Sequence, residues 1–349
     1  MKKIKELSMA FIAIIACISM TACSSDIDAP VADEEQDVYT VQLGWGGELD
    51  VTYEPLSRAT TDDVYGIQVY STPDKELEEG ETVIWTPYAY GVFDDADNIS
   101  INLLKGYKYK FVASMVKDAK NKLSTSTQTI DGVKYLAFLS PFNVSGWISI
   151  LNKFDYQSSI YMSGLASGNS WVNGKVYDHP NTDRYYGELE DYIPGNKNAK
   201  AKIKMKRASF GAKFIAKGKA ANSGKLEIQI TGAPKMELTP SAEKNHISDT
   251  FTFNNVKAAW STNGNYSETI AVTINWHRAD GTTVPLGTHE ITYKRNATTV
   301  VQVNVINDTS DEGVGYEIDE TELGEMPEDD NVTNIEDGKI VETEVETNK

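Results

Sequence analysis

Ala199-Lys-Ala-Lys-Ile-Lys-Met-Lys206 alternates lysine with an apolar residue without a break. A period of two belongs to a strand, so Lys200, Lys202, Lys204 and Lys206 fall on one face and Ala201, Ile203 and Met205 on the other. One face is core; the other is a comb of ammonium groups. Outward from this stretch, shorter alternating runs punctuated by Gly, Pro, Asn and Asp recur at 64–70, 88–93, 99–104, 107–116, 183–189, 212–217, 225–231, 250–253, 268–276, 289–293 and 298–306. Residues 38–43 and 49–53 flank Gly44-Trp-Gly-Gly47, a pattern that predicts a hairpin. The fold class is therefore all-β. A body of about 270 residues has room for two cores, and the spacing of the runs predicts two tandem β-sandwich domains of Greek-key kind, at 38–150 and 151–307. The junction is expected within 121–170, a less regular stretch with a short helix near 148–154.

The two ends read differently from the body. Met1-Lys-Lys-Ile-Lys5 is basic, 9–18 is apolar but too short to span a bilayer, and Met20-Thr-Ala-Cys23 is a small-residue cleavage site. Residues 1–22 are thus expected to be a lipoprotein signal peptide, with Cys23 acylated after cleavage. Met20 stands where such a site usually has Leu, Val or Ile. Each buried methylene contributes about 0.8 kcal/mol, so two or three acyl chains make a stable anchor. Cys17 and Cys23 are the only cysteines, which leaves the mature domains without an internal disulfide.

The formal charge of −18 is carried by the ends. Residues 308–349 hold sixteen acidic side chains against Lys339 and Lys349, and 23–37 holds six acids and no base, whereas the body between them is neutral. Both segments read as acidic and disordered, a linker at 23–37 and a tail at 308–349. The balance excludes a nucleic-acid binder, which needs net basic surface.

Two constellations have two readings each. The lysine comb is either a contact for an acidic partner or the solvated face of an edge strand, where lysines discourage edge-to-edge pairing. Trp147, Trp171, Tyr185, Tyr186 and Tyr192 sit in loop-like context and either stack on sugar rings or fill sandwich cores. His179, His246, His277 and His289 show no metal-ligand spacing, although His277 and His289 are expected to face each other across the Ala279-Asp-Gly281 turn. There is no nucleophile elbow, phosphate loop or calcium loop, so no catalytic residue, metal site or cofactor is assigned and the chain reads as non-enzymatic. A glycosidase-type pair of carboxylates would have no signature at this level.

At Leu56-Ser-Arg58-Ala59-Thr60, followed by Asp63-Val-Tyr-Gly-Ile-Gln-Val-Tyr70, the chain resembles the fimbrillin-like lipoproteins of Bacteroidales type V pili. Gly106-Tyr-Lys-Tyr-Lys-Phe-Val112 and Arg184-Tyr-Tyr-Gly187 leading to Lys206-Arg-Ala208 extend the resemblance. It implies two transthyretin-like sandwiches on a lipid-anchored, outer-membrane, surface-exposed protein, with Ser24-Ser-Asp-Ile-Asp28 similar to surface-directing signals of that group. It also implies proteolytic maturation between Arg58 and Ala59 and partnership with other fimbrial subunits by strand exchange. The donor would be 298–306, with Val301, Val303 and Val305 on one face, or part of the acidic tail. Ending on an acidic segment departs from polymerising members and favours an anchor, cap or tip. The alternative is a surface lipoprotein that holds glycan on Trp147, Trp171, Tyr185 and Tyr186, with Lys200, Lys202, Lys204 and Lys206 as further contacts.

Overall fold

The computed structural model describes residues 37–51, 62–195, 200–221, 223–263, 266–305 and 314–322. The signal segment, Cys23, Arg58 and Ala59 lie outside the described residues. Nearly every regular element is a strand.

The first sandwich takes strands from two distant parts of the chain. Its N-terminal share is β1 (Val38–Gly47), β2 (Val64–Pro73), β3 (Thr86–Phe93), β4 (Ser100–Leu104) and β5 (Tyr107–Lys117), and its later share is β11 (Asp183–Tyr192) and β12 (Lys200–Arg207). The order is β3-β2-β5-β11-β12-β1-β4. β12 meets β11 only at its end, through Tyr185↔Arg207 and Tyr186↔Lys206, while its remainder runs parallel to β1 from Gln42↔Lys200 to Gly47↔Met205. The sheet therefore folds over at β12, and its two arms share one core that includes Val41, Leu43, Ile67, Phe111, Met115 and Ile203. No hairpin forms at Gly44–Gly47. β1 runs straight through these glycines and ends in the short helix α1 (Glu48–Val51), because the partners of β1 are β12 and β4 on either side.

The β2–β5–β11 arm is buried on both faces. Tyr65, Ile67 and Tyr185 point into the first core, whereas Val64, Val112, Val116 and Tyr186 point away from it into a second. A cover made from 119–180 lies on that outer face: α2 (Ala119–Lys122), the meander β6 (Thr125–Ile130), β7 (Val133–Phe138), β8 (Ile148–Ser149), a 3-10 turn at Ser163–Ala166, and the hairpin β9 (Ser170–Val172), β10 (Lys175–Tyr177). Phe138, Phe142, Met162 and Leu165 are its buried contribution. The helix expected near 148–154 is instead β8 and irregular chain.

The division at 150 is corrected accordingly. Composition made 121–170 look like a junction, but the chain passes over the first sheet there and returns to supply two of its strands, so the change of sandwich comes at Ala208, whose N–H donates to Arg184 O at 2.7 Å.

The second sandwich pairs the sheet β16-β13-β19-β20 with β15-β14-β17-β18, from β13 (Ser209–Gly218), β14 (Lys225–Ile230), β15 (Met236–Leu238), β16 (His246–Thr252), β17 (Ser267–His277), β18 (Thr283–Lys294), β19 (Ala297–Val305) and β20 (Val314–Glu322), with α3 (Val256–Ser261) before β17. Its core centres on Phe210, whose ring lies 4.7 Å from Phe253 and 4.5 Å from Tyr293. The strand β20 comes from the segment read as an acidic tail and pairs antiparallel with β19. The histidines do not face each other: His277 is opposite Thr283 and His289 opposite Val272, because the turn is longer than three residues.

Candidate functional site

The segment upstream of Arg58 supplies a central strand of the first sandwich. β1 lies between β4 and β12 and places Val41, Leu43 and Leu49 in the core at no more than 3% exposure. Trp45 stacks on Tyr65 at 5.0 Å and donates from Nε1 to Ala96 O at 3.1 Å. A β-carbon at Gly46 would meet Lys202 Cε at 2.3 Å, so the missing side chain lets that lysine stem lie across β1. At the end of the segment, Glu48 Oε2 accepts from the backbone N–H of Arg207 at 2.8 Å and from Arg295 NH1 at 2.7 Å. Arg207 is itself held by Asp183 in a two-pronged pair at 2.7 and 2.6 Å. Removing the N-terminal segment would empty a strand-shaped slot walled by Ile101, Leu103, Ile203 and Met205.

The candidate donor residues Val301, Val303 and Val305 are at most 1% exposed, on β19, which runs parallel to β13 and has β20 on its other side. A central strand of this kind cannot leave without dismantling the second core. β20, by contrast, is a sheet edge.

The lysine comb forms as the alternation requires: Lys200, Lys202 and Lys204 are exposed and Lys206 half-buried, above buried Ala201, Ile203 and Met205. Along Lys200–Lys204 it is an edge on one side: β1 pairs with this stretch, whereas β11 reaches β12 only at Lys206 and Arg207. Among the aromatic candidates, Trp147 is exposed near β8 and Trp171 half-buried on β9. Tyr185 fills the first core, while Tyr186, its ring fully buried, faces the opposite way. Of these four, Tyr186 is opposite Lys206 of the comb, but its ring is buried, and the structure does not gather all four with the comb.

It does bring together residues that the sequence did not single out. Where the first sandwich, its cover and α3 converge, a cleft of about 280 Å3 is lined by Tyr70, Trp85, Lys110, Tyr161, Glu188 and Lys257, with Met162, Leu165 and Val112 beneath. Glu188 organises it: Oε1 takes Lys257 Nζ at 2.8 Å and the Tyr186 hydroxyl, and Oε2 takes Lys110 Nζ at 3.1 Å. Burial pushes the Glu188 carboxyl up, but the hydrogen bonds from Lys257, Tyr186 and Lys110 outweigh it and hold the group below the ordinary carboxylate range. Burial likewise opposes the charge on Lys110, and Glu190 and Glu188 more than restore it. Burial pushes the Tyr186 phenol up, reinforced by the hydrogen bond to Glu188, so it stays protonated.

One wall of the cleft is fixed from behind by two fully buried polar side chains. Arg184, on β11, donates from NH2 to Leu165 O at 2.7 Å and Gly164 O at 3.0 Å, from NH1 to Ser167 O at 2.5 Å, and from Nε to Ser114 Oγ at 2.7 Å. Gln68 Oε1 accepts from Met162 N at 2.9 Å. Burial pulls the Arg184 guanidinium down to about 9, which leaves it charged at neutral pH, and the planar fork is matched to a ring of carbonyls. The sequence signal for this was an arginine beginning Arg184-Tyr-Tyr-Gly187, the only basic residue in the strand Asp183–Tyr192.

Among the described residues no group of three His, Cys, Asp or Glu side chains gathers at metal-binding distance, and no helix is long and apolar enough to cross a membrane.

No family model matches the chain, and no curated protein matches it. Solved structures similar to it include a putative adhesin from Bacteroides thetaiotaomicron, at 9% identity and TM-score 0.32 over 82% of this chain and 97% of that one. The fimbrial anchor protein Mfa2 from Porphyromonas gingivalis is similar at 8% identity and TM-score 0.37 over 82% and 99%. A putative cell adhesion protein from Bacteroides eggerthii is similar at 11% identity and TM-score 0.35 over 82% and 96%.

Proposed function

We propose that the chain is a non-enzymatic, fimbrillin-like surface subunit, anchored in the outer membrane through Cys23 and built to exchange a strand with other subunits. The observation that carries this reading is the position of β1: a strand contributed from upstream of Arg58 is paired on both sides within the first sheet, between the edge strand β4 and β12. Cleavage between Arg58 and Ala59 would release that strand and open a slot for β-augmentation by a second chain. The donor is the edge strand 314–322 and not 298–306, whose valines belong to the second core.

The test is intact mass and N-terminal sequencing of the protein from its native membrane, alongside an Arg58→Ala variant. A new N-terminus at Ala59 in an SDS-resistant ladder, absent from Arg58→Ala, is the expected result. An acylated Cys23 terminus with no shorter form, in purely monomeric material, would remove strand exchange and leave a permanently anchored protein.

A further inference from the structure

We propose that the cleft between Trp85, Tyr161 and Glu188 is a binding site for one neutral pyranose unit of a glycan, a site that does not depend on strand exchange.

The chemistry of the lining points to an uncharged, hydroxyl-rich ring. Trp85 and Tyr161 present aromatic surface at the mouth, and Tyr161 is half exposed. Amphipathic rings of this kind offer an apolar face to the C–H side of a sugar and keep a polar tip for water or ligand. Both ammonium groups are already paired, Lys257 with Glu188 and Lys110 with Glu188 and with Glu190 outside the lining, so neither stands unpaired to hold an anion. Yet these groups are not saturated as hydrogen-bonding partners. An ammonium has three protons and Lys257 is 49% exposed, while Glu188, its side chain only 4% exposed, keeps one of about four lone-pair sites. The indole N–H of Trp85 and the hydroxyl of Tyr161 have no hydrogen-bond partner among the described residues. Alternating donors and acceptors fixed around an aromatic wall match vicinal hydroxyls better than they match any purely apolar guest.

The site is also held ready. Arg184 and Gln68, both without exposed surface, lock the backbone of 162–167 that carries the Tyr161 side of the cleft, and Glu188 is fixed from three directions. Such preorganisation lowers the ordering cost of binding a small ligand. A cleft of about 280 Å3 sits at the small end of the range for ligand sites, enough for a single ring.

The experiment uses the full chain and four probes, the methyl glycosides of glucose, galactose, mannose and N-acetylglucosamine, each titrated to about 50 mM with intrinsic tryptophan fluorescence and saturation-transfer NMR as readouts. Glucuronic acid and glucosamine serve as charged counterparts. Saturable binding of at least one neutral glycoside, weakened at least about tenfold in both Trp85→Ala and Tyr161→Ala at unchanged melting temperature, is expected. Tyr161 is half exposed and Trp85 half-buried, and neither belongs to a hydrophobic core, so the variants should fold, and circular dichroism checks it. Absence of binding by all four glycosides, binding indifferent to both substitutions, or a charged counterpart preferred over its neutral parent would each overturn the proposal.

Discussion

Glu48 and Arg295 meet at 2.7 Å across the junction of the two sandwiches, and the same carboxylate oxygen also receives the Arg207 backbone N–H. The last turn of the N-terminal segment is thus bolted to residues from both domains. Arg295 Nε is buried with no partner, so once Glu48 is gone the guanidinium is left with the carbonyl of Arg207. A strand that takes the place of β1 must bring a carboxylate with it. A peptide spanning 38–51 should bind a chain lacking residues 1–58, and its Glu48→Gln form should bind about tenfold or more weakly, as expected for a charge-assisted hydrogen bond of about 1.5–3 kcal/mol. Equal affinity of the two peptides in calorimetry would contradict this.

Arg184→Met should cost about 3 kcal/mol or more, because it leaves Ser114 and three buried carbonyls short of donors. Arg184→Lys should recover only part of the loss, since a point charge cannot reproduce the planar fork. Urea denaturation measures both; full recovery by lysine would show that charge alone is what the site needs.

Gly168→Ala tests how closely the cover sits on the second sandwich. The new β-carbon would fall 2.0 Å from Phe253 O and 2.6 Å from Asn254 Cα, both backbone atoms. Loss of unfolded-state freedom favours alanine by about 0.4–1 kcal/mol, and steric displacement of a packed segment costs about 1–3 kcal/mol. The expected sign is destabilising, visible as a lowered melting temperature.

Acid should loosen the junction through Glu188. Its folded pKa lies below the ordinary value, so its contribution is fully present above the unfolded pKa, near 4.3, and is lost as pH falls through the folded one. The Lys257 tie is then weakened below about pH 4, while neutral pH leaves it intact. Glu188→Gln should flatten that part of the acid-unfolding curve; an unchanged slope between about pH 4 and 2 would argue that other carboxylates dominate.

Replacing Lys200 and Lys204 by threonine should change stability by no more than about 0.5 kcal/mol per site, because both are exposed, whereas Lys202→Thr in the triple variant also removes a stem packed across Gly46 and should cost more. If lysines guarded a sheet edge here, the triple variant would aggregate. Since β11 pairs with β12 only at Lys206 and Arg207, one side of 200–204 is open, and the variant should show increased light scattering; an unchanged monomer would show that the lysines guard no edge.

Strand identity was legible wherever one face met water. The run at 200–206 alternates in the structure as it does in the sequence, and the Lys225–Ile230 strand does the same. Partnership was less legible. The parallel pairings β1–β12 and β13–β19 join residues far apart in the chain, and no local pattern encodes them. Strands buried on both faces, such as β2, lose their alternation, and the short strands of the cover, β8 to β10, are too brief to show one. The cleft was hidden for a related reason: Trp85 and Tyr161 lie in irregular chain, Glu188 on β11 and Lys257 on α3, and only the packing of the cover and α3 against the first sheet assembles them.

The connectivity of the first sandwich also sets an order of events. Glu48 and Arg207 are 159 positions apart, and β1 lies along β12 for most of its length. A chain that emerges from its N-terminus has made β1 first, then ten further strands, before the one that β1 must align with exists. Closing a loop of that length is slow compared with pairing neighbours such as β2 and β3. Completion of the N-terminal unit is therefore timed by the arrival of residues 200–207, and the earliest strand among the described residues is among the last to be seated.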